Sequence, residues 1–260
     1  DYRGWKTAVI DITYPMNEKY QYDESSSATA DSVLERELER ISNEAEQAIR
    51  DGYAIALLSD RAAGPDRLAI PALLAVGAVH QYLVRKAERT QIGLVLETGE
   101  AREVHHLCTL TGFGVDAVNP YMAYAALKHL RDSGQLDNSL SDKELVDRYH
   151  KAMGAGMRKV FGKMGISTLD SYKGAQIFEA VGLGPQVMDR CFAGTASRLK
   201  GIGFAEIERE MYLRQQEAYP RRMEKIGSGY LPGGDYKFRS GGEQHMWDPE
   251  SIADLRIAAR

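Results

Sequence analysis

The chain has 260 residues, of which 43% are hydrophobic and 27% are charged, and its formal net charge at pH 7 is −4. This slightly acidic balance argues against a nucleic-acid-binding protein, which needs a basic surface, and no apolar run approaches the ~20 residues of a membrane span. The two cysteines, Cys108 and Cys191, lie far apart and predict neither a disulfide framework nor a metal site. We therefore expect a reducing, cytoplasmic setting.

The chain begins with a predicted strand and helix. Residues 5–15, WKTAVIDITYP, are β-branched and apolar and predict one strand that stops at Pro15, followed by a polar, Ser-rich loop. Ser32 and Glu35 have the S-x-x-E spacing of a capping box, so we expect a helix to start there. Asp51-Gly52 ends this helix. The chain has no initiator methionine and opens almost within a strand, which indicates a segment of a longer protein.

Three more strand–helix units follow in the same order. The predicted strands are 53–60, 92–99 and 115–120, and the predicted helices are 71–90, 100–114 and 121–134, with residues 61–70 as a loop. Such alternation is typical of parallel strands joined by right-handed crossovers. The sequence therefore predicts an α/β domain over residues 1–150, built as a four-unit βα parallel sheet with flanking helices.

The sequence changes character after residue 140. A second capping box, Ser141 with Glu144, starts a predicted helix that runs to about residue 165, and short helices and turns follow. Residues 204–226 predict an amphipathic helix broken at Pro220, and a short helix is expected after Pro249 in a Gly-rich end. We predict no strands here, so residues 151–260 form a mainly helical, Gly-rich and incomplete second domain.

Two glycine motifs are similar to nucleotide-binding loops, but neither has the required sequence context. Residues 112–117, GFGVDA, match G-x-G-x-x-A, but a dinucleotide fingerprint must follow a strand and open a helix, and here the order is reversed. We interpret these glycines as the end of a helix. Residues 156–165, GMRKVFGKMG, have one residue too many for a P-loop and lack the Ser or Thr after its lysine.

Polar residues follow each predicted strand and form a candidate carboxyl-edge cluster. Its members are Asp60, Arg61, Glu97, His105 and Asn119, with Asp11, Thr13 and Thr98 beside them. Ligands of parallel α/β sheets collect outside the carboxyl ends of the strands, so these residues are candidates for a site. The alternative is that they cap helices and form ion pairs: Asp60 with Arg61 or Arg67, and Glu97 with Arg102.

A histidine pair stands in the third predicted helix. His105 and His106 are adjacent and point about 100° apart on a helix, so they cannot chelate one metal ion as an i, i+4 pair does. A catalytic base is one interpretation, and a half-buried, hydrogen-bonded histidine is the other.

Several long blocks resemble one family. The blocks are LLSDR, IPALLAVGAVHQYL, ETGEAREVHH and NPYMAY, followed by KMGISTLDSYKGAQIFEAVGL, FAGTASRLKGIGF and GGEQHMWDPESI. In this order they resemble the central region of the large subunit of glutamate synthase. The resemblance implies a central α/β domain between an N-terminal cysteine amidotransferase and an FMN-binding (β/α)8 barrel with an iron–sulfur cluster. It also implies, for the complete enzyme, a nicotinamide-dependent small subunit or ferredoxin as electron donor.

On this resemblance residues 1–150 are most of the central domain and residues 151–260 lead into the FMN barrel. We expect no cofactor and no catalytic residue in this segment, which is then a structural connector, inactive alone, that helps to wall an ammonia path. Lys163, Ser167, Ser171 and Gln176 are the candidate surface for that path, although Ser167 and Ser171 are also suited to capping short helices.

Two other functions remain open from the residues. One is a free-standing α/β module that binds a small anionic ligand or flavin at the carboxyl edge of its sheet. The other is a small enzyme that acts through Glu97 with His105 or His106.

Overall fold

The computed structural model describes residues 4–16, 32–219 and 238–259, which belong to two compact units, residues 1–219 and 220–260. In the second unit the structure describes one helix, α9 (Pro249–Ala258), whose first turn is capped by the Asp248 carboxylate accepting from the Ser251 backbone N–H at 2.7 Å. This is the short helix predicted after Pro249. The predicted break at Pro220 and most of the Gly-rich stretch lie outside the described residues.

The first unit alternates strands and helices. Its strands are β1 (Thr7–Asp11), β2 (Thr13–Pro15), β3 (Ile55–Ser59), β4 (Arg67–Ala69), β5 (Gly93–Glu97), β6 (Ala117–Asn119), β7 (Glu179–Leu183) and β8 (Ala196–Ile202). Its helices are α1 (Val33–Arg50), α2 (Ala72–Arg85), α3 (Val104–Gly112), α4 (Tyr121–Asp132), α5 (Asp142–Met164), α6 (Leu169–Tyr172), α7 (Pro185–Cys191) and α8 (Phe204–Ala218). A 3-10 turn over Arg89–Gln91 precedes β5.

Four parallel strands form the main sheet, in the order β1-β3-β5-β6. This confirms the predicted four-unit βα sheet. The spatial order follows the chain order, so each crossover steps in the same direction. Because such crossovers are right-handed, the connecting helices α1, α2 and α3 fall on one face of the sheet.

The core lies between that face and its helices. Alternate strand residues point into it, and the cluster contains Ile10, Ala56, Leu58, Leu94 and Leu96 from the strands with Leu34, Leu38, Ile41, Ala75 and Val79 from α1 and α2. We call this the covered face. Leu58, Leu94 and Leu96 are fully buried there.

The predicted first strand is divided in two. β1 ends at Asp11 and joins the main sheet, whereas β2 pairs antiparallel with β4 in a small second sheet. The Asp11 carboxylate accepts from both the backbone N–H and the hydroxyl of Thr13, at 2.8 and 2.7 Å, and this local turn bends the chain between the two strands. The stretch 61–70, predicted as a loop, therefore contains a strand.

The prediction that the second half lacks strands was wrong. β7 and β8 form a parallel pair, with register shifts around Val181. Val181 and Leu199 are exposed by 66% and 63%. These strands are short, contain glycine and are mostly exposed, so they show neither a buried apolar run nor a clean alternation.

No structural break occurs at the predicted boundary between residues 150 and 151. α5 runs through it, from a complete capping box at Ser141 and Glu144, as predicted, to Gly165, which has φ of 71°. Residues beyond 151 also contribute to the core, among them Val187, Phe192 and Phe204. The first unit is therefore compact to Tyr219.

The capping box predicted at Ser32 and Glu35 does not form. The Ser32 hydroxyl instead donates to the Glu208 carboxylate of α8 at 2.6 Å, and the Leu34 backbone N–H donates to the same oxygen at 3.3 Å. Glu35 pairs with Arg190 of α7. The start of α1 is thus capped by a residue 176 positions away.

Neither glycine motif forms a nucleotide-binding loop, as the sequence analysis predicted. Residues 112–117 cover the end of α3 and the approach to β6, with Gly114 at φ of 112°. Residues 156–164 lie inside α5 and present no loop.

Candidate functional site

A buried aspartate organises one side of the carboxyl edge. Asp60 follows β3 and is 4% exposed. Its carboxylate accepts from the Thr98 hydroxyl at 2.6 Å, from the Gly99 backbone N–H at 2.9 Å and from the Tyr121 hydroxyl at 2.7 Å. Burial, followed by the hydrogen bond to Asp60, raises the pKa of Tyr121 above its usual value. Asp60 thus joins the ends of β3 and β5 to the start of α4.

A second network surrounds Glu97 on the other side of the sheet. Its carboxylate accepts from the Ser59 hydroxyl at 2.7 Å, the Arg61 guanidinium at 2.7 Å and the Asn119 amide at 3.1 Å. Burial raises the pKa of Glu97, but the hydrogen bonds from Arg61 and Ser59 outweigh it and the pKa lies below its usual value. The Arg61 guanidinium also covers the Tyr121 ring at 4.2 Å.

Three strand ends therefore meet, with partners other than those expected. Arg61 pairs with Glu97, and Arg67 pairs with Asp11 at 2.7 Å rather than with Asp60. Glu97 receives three donors without Arg102. Each carboxylate in these networks is already surrounded by donors from its own chain.

The structure does not place His105 in this cluster. His105 is exposed in the first turn of α3 and meets the Phe178 ring edge-on at 6.1 Å. His106 is half-buried, and its Nδ1 accepts from the Arg102 backbone N–H at 3.2 Å. Its Nε2 lies 3.3 Å from the Glu103 carboxylate. These contacts involve Arg102, Glu103 and Phe178, and none of the three belongs to the Glu97 network.

A further carboxylate, Glu100, lies at the start of α2. Its Oε2 accepts from the Ala72 backbone N–H at 2.6 Å. Desolvation of its carboxylate raises the pKa of Glu100 above its usual value, although the residue as a whole is exposed and the bond from Ala72 opposes the shift. The sequence analysis missed Glu100. Two sequence features could have indicated this contact. Pro71 cannot cap α2 with its side chain, and an acidic residue stands in the next strand-to-helix turn.

The four candidate residues of the second half are exposed and are spread along the chain from the last turn of α5 onward. Lys163 is in the last turn of α5, and Ser167 follows the helix end. Ser171 accepts from the Thr168 hydroxyl at 2.7 Å within the short α6. Gln176 has φ of 54°, and its side-chain amide lies against Gly194. Glycine leaves room for that amide, since a Cβ on Gly194 would lie 2.0 Å from Nε2.

Both cysteines are free thiols in the interior. Cys108 and Cys191 are 1% and 0% exposed, and burial raises the pKa of Cys191 to about 12. Within the described ranges, no group of three or more His, Cys, Asp and Glu is arranged to hold a metal ion. In the same ranges, no helix combines the length and hydropathy that crossing a membrane requires.

Comparisons with known proteins place this chain in a family. The sequence model of the glutamate synthase central domain matches residues 1–184. The chain is 42% identical over 260 residues to a glutamate synthase [NADH] of Schizosaccharomyces pombe, covering all of this chain and 12% of the relative. It is 47% identical over 227 residues to the glutamate synthase [NADPH] large chain of Bacillus subtilis, covering 87% of this chain and 15% of the relative.

Among solved structures, the flavin-binding domain of baker's yeast flavocytochrome b2 has a TM-score of 0.40 and 12% identity, covering 65% of this chain and 37% of that domain. A likeness of this size carries no functional inference. The chain spans 12–15% of the length of the two relatives named above.

Proposed function

The chain belongs to the glutamate synthase central domain family, and we propose that it is the structural connector segment of a glutamate synthase, without a catalytic centre of its own. The complete enzyme would convert L-glutamine and 2-oxoglutarate into two molecules of L-glutamate. In this proposal the segment joins the glutaminase domain to the FMN-binding barrel and helps to wall the path of ammonia between them. A closed path excludes solvent from the transferred ammonia.

The observation that carries the proposal is the saturation of the carboxyl edge. Asp60 and Glu97, the two carboxylates at the centre of the candidate site, each accept from three donors of the same chain. A general acid or base has to be within hydrogen-bond reach of its substrate. Here those positions are filled by Thr98, Tyr121, Ser59 and Arg61, which favours a role in holding strands and helices together.

Two features of the described residues argue against a cofactor site in this segment. A phosphate group binds where backbone N–H groups at a helix N-terminus are free, but the Ala72 N–H is held by Glu100 and the Gly99 N–H by Asp60. An iron–sulfur cluster usually takes four cysteine thiolates, and this chain has two cysteines. FMN and the cluster are therefore assigned to other domains of the proposed enzyme, which would take electrons from a nicotinamide-dependent small subunit or ferredoxin.

The test uses the purified 260-residue chain beside the full-length enzyme that contains it. Each is mixed with excess FMN and passed through gel filtration, and the absorbance is recorded from 300 to 600 nm. We expect flavin in the full-length sample alone, and neither glutaminase nor synthase turnover from the 260-residue chain. Stoichiometric flavin in the short chain would instead establish a cofactor site within this segment, and turnover would refute the connector role.

The ammonia-path part of the proposal concerns Lys163, Ser167, Ser171 and Gln176. Because all four are exposed on this unit, they are available to face a neighbouring domain. In the full-length enzyme, Ser167→Trp should make glutamine hydrolysis exceed 2-oxoglutarate consumption, since lost ammonia uncouples the two reactions. Ser133→Trp, at an exposed serine that ends α4, is the matched control. Tight coupling in Ser167→Trp would remove that serine from the path.

A further inference from the structure

The GFGVDA stretch contacts residues 168–176 of the second half, which we call the seated segment. The carbonyl of Gly112, the last residue of α3, accepts from the Gly174 backbone N–H at 2.8 Å. The Lys173 ammonium donates to the Asp116 carboxylate at 2.5 Å. One backbone bond and one ion pair therefore hold the seated segment against the end of α3 and the start of β6.

The apolar side of this contact depends on the absence of a side chain at Gly112. Tyr172 of the seated segment is fully buried, and its ring centroid lies 4.1 Å from that of Phe161 in α5. A Cβ on Gly112 would lie 2.6 Å from Cε2 of Phe178 and 3.6 Å from Cε1 of Tyr172. Phe113 stacks on Phe178, with ring centroids 5.9 Å apart. Glycine therefore lets these aromatic rings close on the end of α3.

The polar side of the contact is an ion pair that the main sheet holds in place. The Asp116 carboxylate also accepts from the Leu94 backbone N–H of β5 at 2.7 Å and from the Arg89 guanidinium at 3.0 Å. Burial raises the pKa of Asp116, but the hydrogen bonds that it accepts outweigh burial, and the pKa lies below its usual value. The side chains of Lys173 and Asp116 are 23% and 30% exposed. Lys173 thus meets an ionised acceptor whose position is set by β5.

The seated segment ends in a residue with a strained backbone. Gln176 has φ of 54°, in the left-handed region that residues with a Cβ rarely adopt. Such conformations persist where the surrounding contacts impose them, and they are common at functional sites. The side chain is exposed, and its amide occupies the space that Gly194 leaves open. An amide offers a donor and an acceptor without a charge, which suits contact with neutral ammonia.

We propose that Lys173 is a positioning residue for the ammonia path, because its ion pair with Asp116 holds the seated segment so that Gln176 faces the path. This inference rests on the proposed function, since it requires a path beside the seated segment. It gives the GFGVDA stretch a role as the seat of that segment. Lys173 itself touches no ammonia and acts through the position of Gln176.

The test measures coupling in the full-length enzyme, as glutamine hydrolysed per 2-oxoglutarate consumed. Lys173→Met removes the ion pair and should raise this ratio about two-fold or more, because a small displacement of a positioned group has large effects. Lys173→Arg keeps a cation within reach of Asp116 and should restore the wild-type ratio. Lys143→Met breaks an ion pair with Asp147, at 2.8 Å on an exposed part of α5, and should leave the ratio unchanged. A general loss of stability would lower both rates together without changing their ratio.

Hydrogen exchange of the 260-residue chain tests the positioning step by itself. In Lys173→Met the Gly174 amide should exchange roughly five-fold faster, because the seated segment opens more easily. The Leu96 amide in β5 should stay protected. Gly112→Ala disturbs the apolar side of the same contact and should give both faster exchange at Gly174 and a raised ratio. Circular dichroism establishes that each variant is folded.

Unchanged exchange at Gly174 in Lys173→Met would overturn the inference, because the ion pair would then not hold the segment. Faster exchange with the wild-type ratio would also overturn it, since the position of the segment would then have no bearing on coupling. Hydrogen exchange involves neither flavin nor turnover. A failure of the connector role in the FMN test is therefore distinguishable from a failure here.

Discussion

The two faces of the main sheet carry similar residues in different surroundings. Leu58 and Leu94 on the covered face are fully buried, whereas their neighbours Leu57 and Val95 are half-exposed on the opposite side of the sheet, which we call the bare face. These are alternate residues of the same strands, so hydrophobicity does not distinguish them. The uniform direction of the crossovers distinguishes them, because it places every connecting helix on one side of the sheet.

The difference teaches that an apolar parallel strand indicates a need for two covering layers, whereas the described residues supply core helices to one face of this sheet. The same topology bears on ligand binding. Doubly wound sheets bind ligands in the crevice where the strand order reverses. Within the part of the chain that the structure describes, the order β1-β3-β5-β6 has no reversal, so this sheet has no such crevice there.

The largest expected effect comes from exchanging adjacent leucines on β3. Leu58→Ala should lower the free energy of unfolding by about 3 kcal/mol, because it leaves a cavity in a packed core. Leu57→Ala should cost about 1 kcal/mol in the 260-residue chain, since Leu57 already has less packing to lose. Urea unfolding followed by circular dichroism measures both. Equal losses would mean that the two faces are equally packed.

The next effect compares the two carboxylates. Asp60→Ala should cost about 2 kcal/mol, because it leaves donors from Thr98 and Tyr121 buried without an acceptor. Glu97→Ala should cost less, about 1 kcal/mol at most, since the Arg61 side chain is 55% exposed and can turn to water. Asp60→Asn, which keeps one acceptor oxygen, is the control and should fall between them. A larger loss for Glu97→Ala would reverse the assigned roles.

A smaller effect is the dependence of stability on pH, with opposite signs for two neighbouring glutamates. The pKa of Glu97 is lowered, so its contribution is present above the unfolded value of 4.5 and is lost as the pH falls below it. The pKa of Glu100 is raised, so its ionised form is penalised in the folded state and this penalty disappears as the pH falls.

Glutamine substitutions separate these two slopes. Glu97→Gln should reduce the loss of stability below pH 4.5. Glu100→Gln should stabilise the protein at neutral pH and lose that advantage as the pH falls toward the unfolded pKa. Unfolding free energies measured from pH 7 to 3 reveal both slopes. Slopes of the same sign would contradict the raised pKa of Glu100.

The smallest expected effect is at Val9. Val9→Thr should change the unfolding free energy of the 260-residue chain by no more than about 0.5 kcal/mol, because the side chain is 68% exposed. Ile10→Thr, one residue further on the covered face, should cost several times more, since Ile10 is 2% exposed. A large loss at Val9 would show that the bare face is covered within this chain.

The βα order was predictable because each unit has a strong local signal. The strands β3 and β5 are short apolar runs, and the helices have capping residues or glycine ends. β4 was missed because Arg67–Ala69 is three residues long and pairs with β2, which is distant in the sequence. β7 and β8 were missed because most of their residues are exposed.

Side-chain partners were less predictable than elements. Ser141 caps its own helix as the spacing indicates, whereas Ser32, with the same spacing, donates to Glu208 of α8. Arg61 meets Glu97 because β3 and β5 are in register, a fact that sequence spacing does not contain. Glu100 capping α2 is another contact set by tertiary structure, and it decides whether the carboxyl edge can accept an anion.

The cap that Glu208 provides has a consequence for synthesis on the ribosome. The chain makes Ser32 first, and the carboxylate that completes the start of α1 emerges 176 residues later. At ~5–20 residues per second this interval is roughly 10 to 35 s. During this interval, water or a chaperone has to bind the free backbone N–H groups in the first turn of α1. α8 therefore completes the start of α1 late in synthesis. While a ribosome pauses before residue 208, the first turn of α1 lacks its carboxylate cap.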